Sequence, residues 1–591
     1  MLVIAGCGSP AAPTAAPVPP TTVPAATKAA APTPAPSPTA LTSNTLPTGT
    51  GYPPEMVKAL LAQNMYLPGM SYGAGETPQY GGTASYSNKA ALPNDDITST
   101  SSITMINVLG SMVSDGNLVK LKETNNNEFT GNVAESWSVS SDFKTWTFKM
   151  RPNVKWHDGH PVTAEDAKFW IDLTVFPPKG RLAGGPANSL PNLQEAKVVD
   201  LMTLQLIFKQ PSPFLLESFG AGTGNMVHPK HLAQPELDKG NNTVSPSEIG
   251  WVAFGPFKFD QYTRGTSFRT VRFDQYWEKD EAGRALPYLD AVYNVFIPDR
   301  TVAIGAFRAG RLDSTPRGVG SSLDPEQLAS VNKTLPGKAY YHRYAYNNYG
   351  IDMNALKPPF NDIRARKAVF LYMDRLEGAQ KMQGGFAFSS GFTSPTSAWH
   401  SGAYNNWPGY TQATKAADQA EGKRLLKEAG LVGTVATINC RTDYLYMCEF
   451  SESVLRGVGF EPRIIMEDVN ASSATTRTLQ FHAVMGTLYN GLFPGAALDT
   501  WVTTAVTNRF NDKKIDAYQD IILTSVDPQV RRQALWDAER YTLLEQAYKA
   551  PFLREETVQA YRTYLKGSVV PGYQPHTNTD RATDWIDKSM R

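Results

Sequence analysis

Between Pro10 and Thr50 the chain is built almost wholly of Pro, Ala, Thr and Ser, and Lys28 is the one charged residue of the stretch. Such a segment carries too little apolar surface to offset the conformational entropy that folding would cost, so it is expected to stay unfolded. Its prolines hold it extended and semi-stiff. The folded part of this 591-residue chain is expected from about Tyr80 onward. With 41% hydrophobic and 19% charged residues overall, the composition is that of a globular body long enough for several domains.

The residues in front of the stretch, Leu2-Val-Ile-Ala-Gly-Cys7, place apolar and then small residues directly before a cysteine. This is similar to a bacterial lipobox, whose cysteine is lipidated when the signal peptide is removed. No positive region precedes it, so residues 1–7 read as a truncated signal peptide with Met1 a misplaced start and Cys7 the lipidation site. Residues 8–50 then serve as a tether holding the folded body clear of a membrane. Several acyl chains on one cysteine would anchor it stably, where a single chain binds only marginally.

Bulk charge removes other classes. Lys plus Arg is 56 against 55 for Asp plus Glu, a formal charge of +1, which leaves no basic surplus for nucleic acid. No run of 18 apolar residues is present to form a membrane-spanning helix. Three cysteines are too few for a disulfide scaffold. Cys440 and Cys448 lie eight residues apart, and in an exported protein their pairing is favoured over two free thiols, although spacing alone does not fix the geometry. No histidine stands near either cysteine, which disfavours a metal site there.

After about Tyr80 short strand and helix signals alternate. Trp146, Phe148 and Met150 alternate with Thr145, Thr147 and Lys149, the period of a half-buried strand, and Ser140-Ser141-Asp142 supplies a turn from a partner strand holding Trp137 and Val139. Thr163-Ala-Glu-Asp166 opens a helix that buries Phe169, Trp170 and Leu173. Asn361-Asp362 precedes a helix from Ile363 to Asp374, and Lys415 to Ala429 is helical with Gly430 as its stop. Mixed elements over some 500 residues without a short repeat mean an α/β body.

Four groups of segments carry a resemblance. They are Asn132-Val-Ala-Glu-Ser-Trp137 with Thr147-Phe-Lys-Met-Arg151, Val154-Lys-Trp-His-Asp-Gly159 and Pro161-Val-Thr-Ala-Glu-Asp166; Phe254-Gly-Pro-Phe-Lys-Phe259 with Gln275-Tyr-Trp277; Leu286-Pro-Tyr-Leu-Asp290 with Ala306-Phe-Arg-Ala-Gly-Arg-Leu-Asp313; and Lys357-Pro-Pro-Phe-Asn-Asp-Ile-Arg-Ala-Arg-Lys-Ala368 with Met373-Asp-Arg375. In this order they resemble family 5 of the extracytoplasmic solute-binding proteins, the peptide, oligopeptide and nickel receptors of ABC importers. The resemblance implies the two-lobed α/β fold of the large peptide-receptor type, with two crossover segments. By position, lobe I comprises residues 80–344 with an additional subdomain at about 112–250, lobe II residues 346–550, and residues 551–591 return to lobe I. The ligand would be enclosed between the lobes and the closed form recognised by permease subunits.

The binding residues depart from the family's pattern. Peptide receptors carry Gly-Trp-x-x-Asp, whose Asp holds the ligand ammonium; here the stretch is Gly486-Thr-Leu-Tyr489-Asn490, and a neutral amide loses the charge-assisted contribution. Where dipeptide receptors place a carboxylate-binding Arg this chain has Ile438, with Arg441 three residues on as a substitute. A short zwitterionic dipeptide is thereby disfavoured. Aromatic residues crowd the segment from Phe386 to Tyr410, and Trp399, Tyr404 and Trp407 with Tyr489, Asn490 and Arg441 form the expected ligand-binding set. Exposed rings would suit a longer peptide or a sugar; local packing under the loop is the competing reading.

His157-Asp-Gly-His160 offers two histidines three apart in a turn, a poor metal clamp, and reads as structural. No Gly-x-Ser-x-Gly, Gly-x-Gly-x-x-Gly, phosphate loop or His-Glu-x-x-His occurs. The expectation is a monomeric, lipid-anchored, extracytoplasmic receptor with no enzymatic activity, metal or cofactor, taking an oligopeptide or sugar-like solute. An oligosaccharide receptor or a chemosensory receptor on the same scaffold is the alternative, and a secreted hydrolase a more distant one.

Overall fold

In the computed structural model, Thr145–Met150 is a strand whose Trp146, Phe148 and Met150 are buried. It pairs antiparallel with Ala134–Val139, setting Trp137 opposite Phe148 and Val139 opposite Trp146. Thr203–Phe208 and Leu193–Asp200 extend this into a four-stranded antiparallel sheet. The structure describes residues 54–68, 70–88, 112, 117–122, 125–177, 190, 192–220, 227–241, 244, 248–316, 322–378, 387–388, 391–393, 397, 399–488, 494–505, 507–570 and 581–591.

One face of the sheet is covered by the helix Ala164–Val175, which buries Phe169, Trp170 and Leu173. Its start is fixed by Asp166, whose carboxylate accepts from the backbone N–H of Thr163 (2.9 Å) and from its hydroxyl (3.0 Å). Asp166 thus closes back on the cap residue, the reciprocal half of a capping box. The hydrophobic core between sheet and helix gathers Phe148, Trp156, Trp170, Leu206, Leu215 and Phe219.

A second four-stranded sheet runs Thr83–Asn88, Ala291–Phe296, Ser267–Arg272, Phe257–Thr263. The largest sheet has seven strands, in the order Ala387–Phe388, Lys549–Arg562, Ala339–Met353, Ala483–Leu488, Val435–Arg441, Glu461–Glu467, with Met65–Tyr66 added beside Ala339–Met353. Val435–Arg441 and Glu461–Glu467 are parallel, as a strand–helix–strand unit requires. The helix between them, Leu445–Val458, buries Met447, Cys448, Ser451, Val454, Leu455 and Val458 on one face, and the chain leaves it at Gly459 with φ 122°. Helix Ile363–Tyr372 starts at Asp362, whose side chain accepts from the N–H of Arg364. Lys415–Glu428 ends before Gly430 at φ 69°. These elements share a second large core around Ile438, Leu455, Trp501 and Leu535. No helix among the described residues is long and apolar enough to cross a membrane.

Candidate ligand-binding cleft

The two longest strands, Ala339–Met353 and Lys549–Arg562, run antiparallel from the Ala339↔Arg562 pair to the Asp352↔Lys549 pair. Their register slips twice, between Ala345 and Asn348 and between Tyr349 and Gly350. Pro551, which has no N–H to donate, sits opposite Gly350 at the second slip, where a bulge tolerates it. A side chain at Gly350 would meet the carbonyl oxygen of Ala550 at 2.6 Å, so only glycine permits this approach.

The slips align one row across the sheet: Phe388 pairs with Arg554, Arg554 with Asn348, and Asn348 with Leu488. Charge is buried along it. Arg554 and Glu555 are fully enclosed and Glu556 is 3% exposed. The guanidinium of Arg343 pairs with Glu556, its Nε donating to Oε2 at 3.0 Å. Asn348 Nδ2 donates to the carbonyl of Gly391 at 2.8 Å, and Arg554 Nη2 reaches the same carbonyl at 3.4 Å. Glu539 accepts from the Ser401 hydroxyl at 2.6 Å and from the N–H of Phe392. Burial pushes its carboxyl up, while Ser401, Phe392 and Arg554 pull it down. His400 is held down to about 4, first by burial and then by the charge of Arg554.

Arg441 is the last residue of Val435–Arg441, a strand parallel to Ala483–Leu488, and both strands end on the same edge. In sheets of this kind ligands bind beyond the carboxyl ends of the strands. The Arg441 guanidinium lies 4.4 Å over the ring of Tyr444, Tyr444 packs edge-on against Tyr349 at 5.3 Å, and the Tyr349 hydroxyl donates to Glu555 Oε2 at 3.2 Å. Arg441 is thereby tied to the charged row. Ile438, in the same strand, is fully buried in the core. Cys440 and Cys448 are bonded, with Cα atoms 6.2 Å apart. Tyr489, Asn490 and Cys7 lie outside the described residues, as do residues 1–7 and 8–50.

The aromatic segment departs from the expectation of exposed rings. Tyr404 is 0% and Trp407 8% exposed, both in the core with Phe392 and Tyr410. Gly402 at φ 64° starts a 3-10 turn over Ala403–Asn406. That turn folds the rings together, Tyr404 at 5.5 Å from Tyr410 and Tyr410 at 5.9 Å from Phe370. Tyr404 and Trp407 are packing residues. Trp399 is elsewhere: half-buried, under Arg531 at 5.0 Å and Arg532 at 5.4 Å, its carbonyl accepting from Trp536 Nε1 at 3.0 Å. Arg531 reaches across to Glu217, Nη2 lying 2.9 Å from both carboxylate oxygens. Glu217 belongs to Leu215–Gly220 and Arg531 to Pro528–Glu539, helices that pack into the two different large cores.

Sequence reasoning missed Asn348, Arg554 and Glu555 on the paired strands and Glu539 at the end of helix Pro528–Glu539. The one available signal was the run Arg554-Glu-Glu556 inside an otherwise strand-forming stretch. A groove of about 360 Å³ between Ala164–Val175 and Lys230–Asp238, lined by Phe169, Leu173, Phe176 and Leu237, shares no residue with the row.

The profile of the bacterial extracellular solute-binding proteins, family 5 (middle), matches residues 128–539. The chain belongs to this family. Its members are binding proteins. The periplasmic oligopeptide-binding protein OppA of Haemophilus influenzae is 30% identical to this family 5 protein over 313 residues, 50% of this chain and 54% of the relative. The chain spans about half the length of the curated relatives it matches. Among solved structures, the ABC transporter-associated periplasmic binding protein DppA of Helicobacter pylori, in complex with peptide STSA, superposes with a TM-score of 0.73 at 18% identity, over 86% of this chain and 99% of that one. The oligopeptide-binding protein AppA of Bacillus subtilis, in complex with a nonapeptide, gives 0.71 at 17% identity, over 87% and 100%. The family 5 chain thus has the two-lobed periplasmic-binding-protein fold.

Proposed function

We propose that this protein is the substrate-binding component of an ABC importer, capturing an oligopeptide or similar organic solute between two lobes and presenting it to a permease. The family match over residues 128–539 carries the reading, and the peptides bound in the DppA and AppA structures support it. The long paired strands would supply what such capture needs, two continuous connections whose bulged middle lies between a core holding Ile351 and Phe552 and another holding Tyr341 and Val558. Lobe I then comprises residues 80–344, with a subdomain at about 112–250, and residues 551–591; lobe II comprises residues 346–550. Arg441, the last residue of its strand, and Asn490, two residues on from Leu488 in the sequence, would hold carboxylate or peptide groups, and Trp399, beside the Arg531–Glu217 pair, would sense closure. The protein acts outside the cytoplasm as a monomer, held to the membrane by lipid on Cys7 and by the 8–50 tether, and it binds without catalysis.

The test is mass spectrometry of solute retained through gentle purification and released by denaturation, followed by thermal melts with the solute found. At about 100 times Kd the ligand adds roughly 2.7 kcal/mol to stability. Arg441→Met should weaken binding of a carboxylate-bearing solute and leave the melting temperature of the free protein in place. A protein that releases nothing and whose melt no peptide or oligosaccharide mixture shifts would refute the assignment.

A further inference from the structure

The turn after Val154 presents two histidines in opposite directions. It is closed by the Trp156 N–H on the His160 carbonyl and the Gly159 N–H on the Trp156 carbonyl, both 2.8 Å, with Gly159 at φ 94°. His157 points inward. Its Nε2 meets the Gly255 carbonyl at 3.0 Å and its Nδ1 accepts from the Ala253 N–H at 3.3 Å, which occupies both ring nitrogens. His160 points outward, with 62% of its side chain exposed.

A third histidine arrives from far along the chain. His231 is the second residue of helix Lys230–Asp238, and that helix is pinned beside the turn by Lys230, whose backbone N–H donates to Asp166 at 3.0 Å and whose Nζ pairs with Glu165 at 2.7 Å. The His231 ring stands 4.3 Å from that of His160. Both rings aim a nitrogen at one carboxylate: His231 Nε2 lies 2.7 Å from Asp158 Oδ2, and His160 Nδ1 lies 3.2 Å from Asp158 Oδ1. Asp158 is itself oriented by the His160 N–H at 3.1 Å. The three donor atoms lie within 4.8 Å of one another, the one such three-residue cluster among the described residues.

We propose that Asp158, His160 and His231 form a binding site for one divalent transition-metal ion of the zinc class. Two imidazole nitrogens and one carboxylate oxygen are the borderline donors that such ions prefer and that Ca²⁺ and Mg²⁺ do not. A tetrahedral zinc with bonds of 2.0–2.1 Å sets its ligand atoms about 3.3 Å apart, within side-chain adjustment of the observed spacing. Three protein ligands leave one position for water or for a group from another molecule. His231 is what the sequence motif lacked: two histidines in a turn make a poor clamp, and the helix adds the ligand from outside the turn.

The test uses the full chain stripped with EDTA and titrated calorimetrically with Zn²⁺ alone. One zinc per chain in the micromolar range is expected, and His160→Ala and His231→Ala should each weaken it by about tenfold or more. His160 is exposed, so His160→Ala should melt like the parent without metal; a Co²⁺ absorption spectrum lost in the same variant supplies a second readout. No binding in the micromolar range, or zinc binding undiminished in both variants, would overturn the proposal and leave Asp158 as a hydrogen-bonding pin between turn and helix.

Discussion

Replacing Glu217 with glutamine tests whether closure of the two lobes is held by the pair this residue makes with Arg531. The side chains are 11% and 6% exposed, and Arg531 Nη2 lies 2.9 Å from both carboxylate oxygens. Around the pair, Phe214 packs on Gly495, where an added Cβ would come to 3.0 Å of its ring, and the Gly495 N–H donates to Glu217. Burial raises the Glu217 carboxyl above its ordinary range, and Arg531 and the Gly495 N–H partly offset that rise. Removing one member of a buried pair costs about 3–5 kcal/mol because the other charge is left unpaired. Glutamine keeps the shape and one hydrogen bond, so about 2–3 kcal/mol is expected. If the contact exists only when the lobes are together, the whole loss falls on the closed form. The apparent Kd for solute then rises by about 30- to 150-fold once the open form dominates. Small-angle scattering of the ligand-free protein should show a larger radius of gyration, and calorimetry with the recovered solute should show the weaker Kd. Glu217→Gln with Arg531→Gln leaves no orphan charge and should recover part of the loss, giving a non-zero coupling in the cycle. A single variant that melts earlier with unchanged radius and Kd would refute the reasoning, since the pair would then hold the fold and not the closure.

Gly350→Ala should lower stability by about 2–3 kcal/mol in a denaturant titration, because the new Cβ meets the backbone at Ala550 and Pro551, which cannot move aside as a side chain would. Acid should destabilise the fold through His157 and His400, both held down to about 4, chiefly by burial, from an ordinary 6.5. The unfolded chain takes up those protons first, so stability is full above about 6.5 and is lost as pH falls toward 4, by about 1–2 kcal/mol per histidine at pH 5. A melt series against pH, repeated on His400→Gln, should show a shallower slope in the variant. Replacing Cys440 and Cys448 with serine opens a loop of eight-residue separation and should cost about 2.5 kcal/mol, read from chemical denaturation with and without reductant.

What the sequence made legible were features whose cause is local. The strand at Trp146 follows from period-two burial, the helix after Asp362 from its cap, and the end of Lys415–Glu428 from Gly430, each decided by neighbours within a few residues. The ring cluster from Phe392 to Tyr410 was ambiguous because a loop has no period; only Gly402 and the turn it permits decide that Tyr404 and Trp407 go inward. The site was less legible still, since its members meet across long separations: Glu539 with Ser401 at 138 residues, Arg343 with Glu556 at 213, Glu217 with Arg531 at 314.

Arg554, Glu555 and Glu556 show why separation matters. Three consecutive charges in a strand read locally as a solvated edge, yet all three are buried within an antiparallel strand pair. Buried ion pairs stabilise no better than well-packed apolar residues of the same size, so the fold alone does not demand them. They coincide with the two register slips and with the Gly350–Pro551 approach, three breaches of ordinary strand chemistry within a few residues of one another. Breaches that cluster away from any need of the core mark places where a sequence answers to something besides stability. Here they occupy the middle of the longest strand pair among the described residues. If these strands are the connections between the proposed lobes, a middle whose polar partners are fixed by hydrogen bonds would repack between discrete arrangements, as separate open and closed states require.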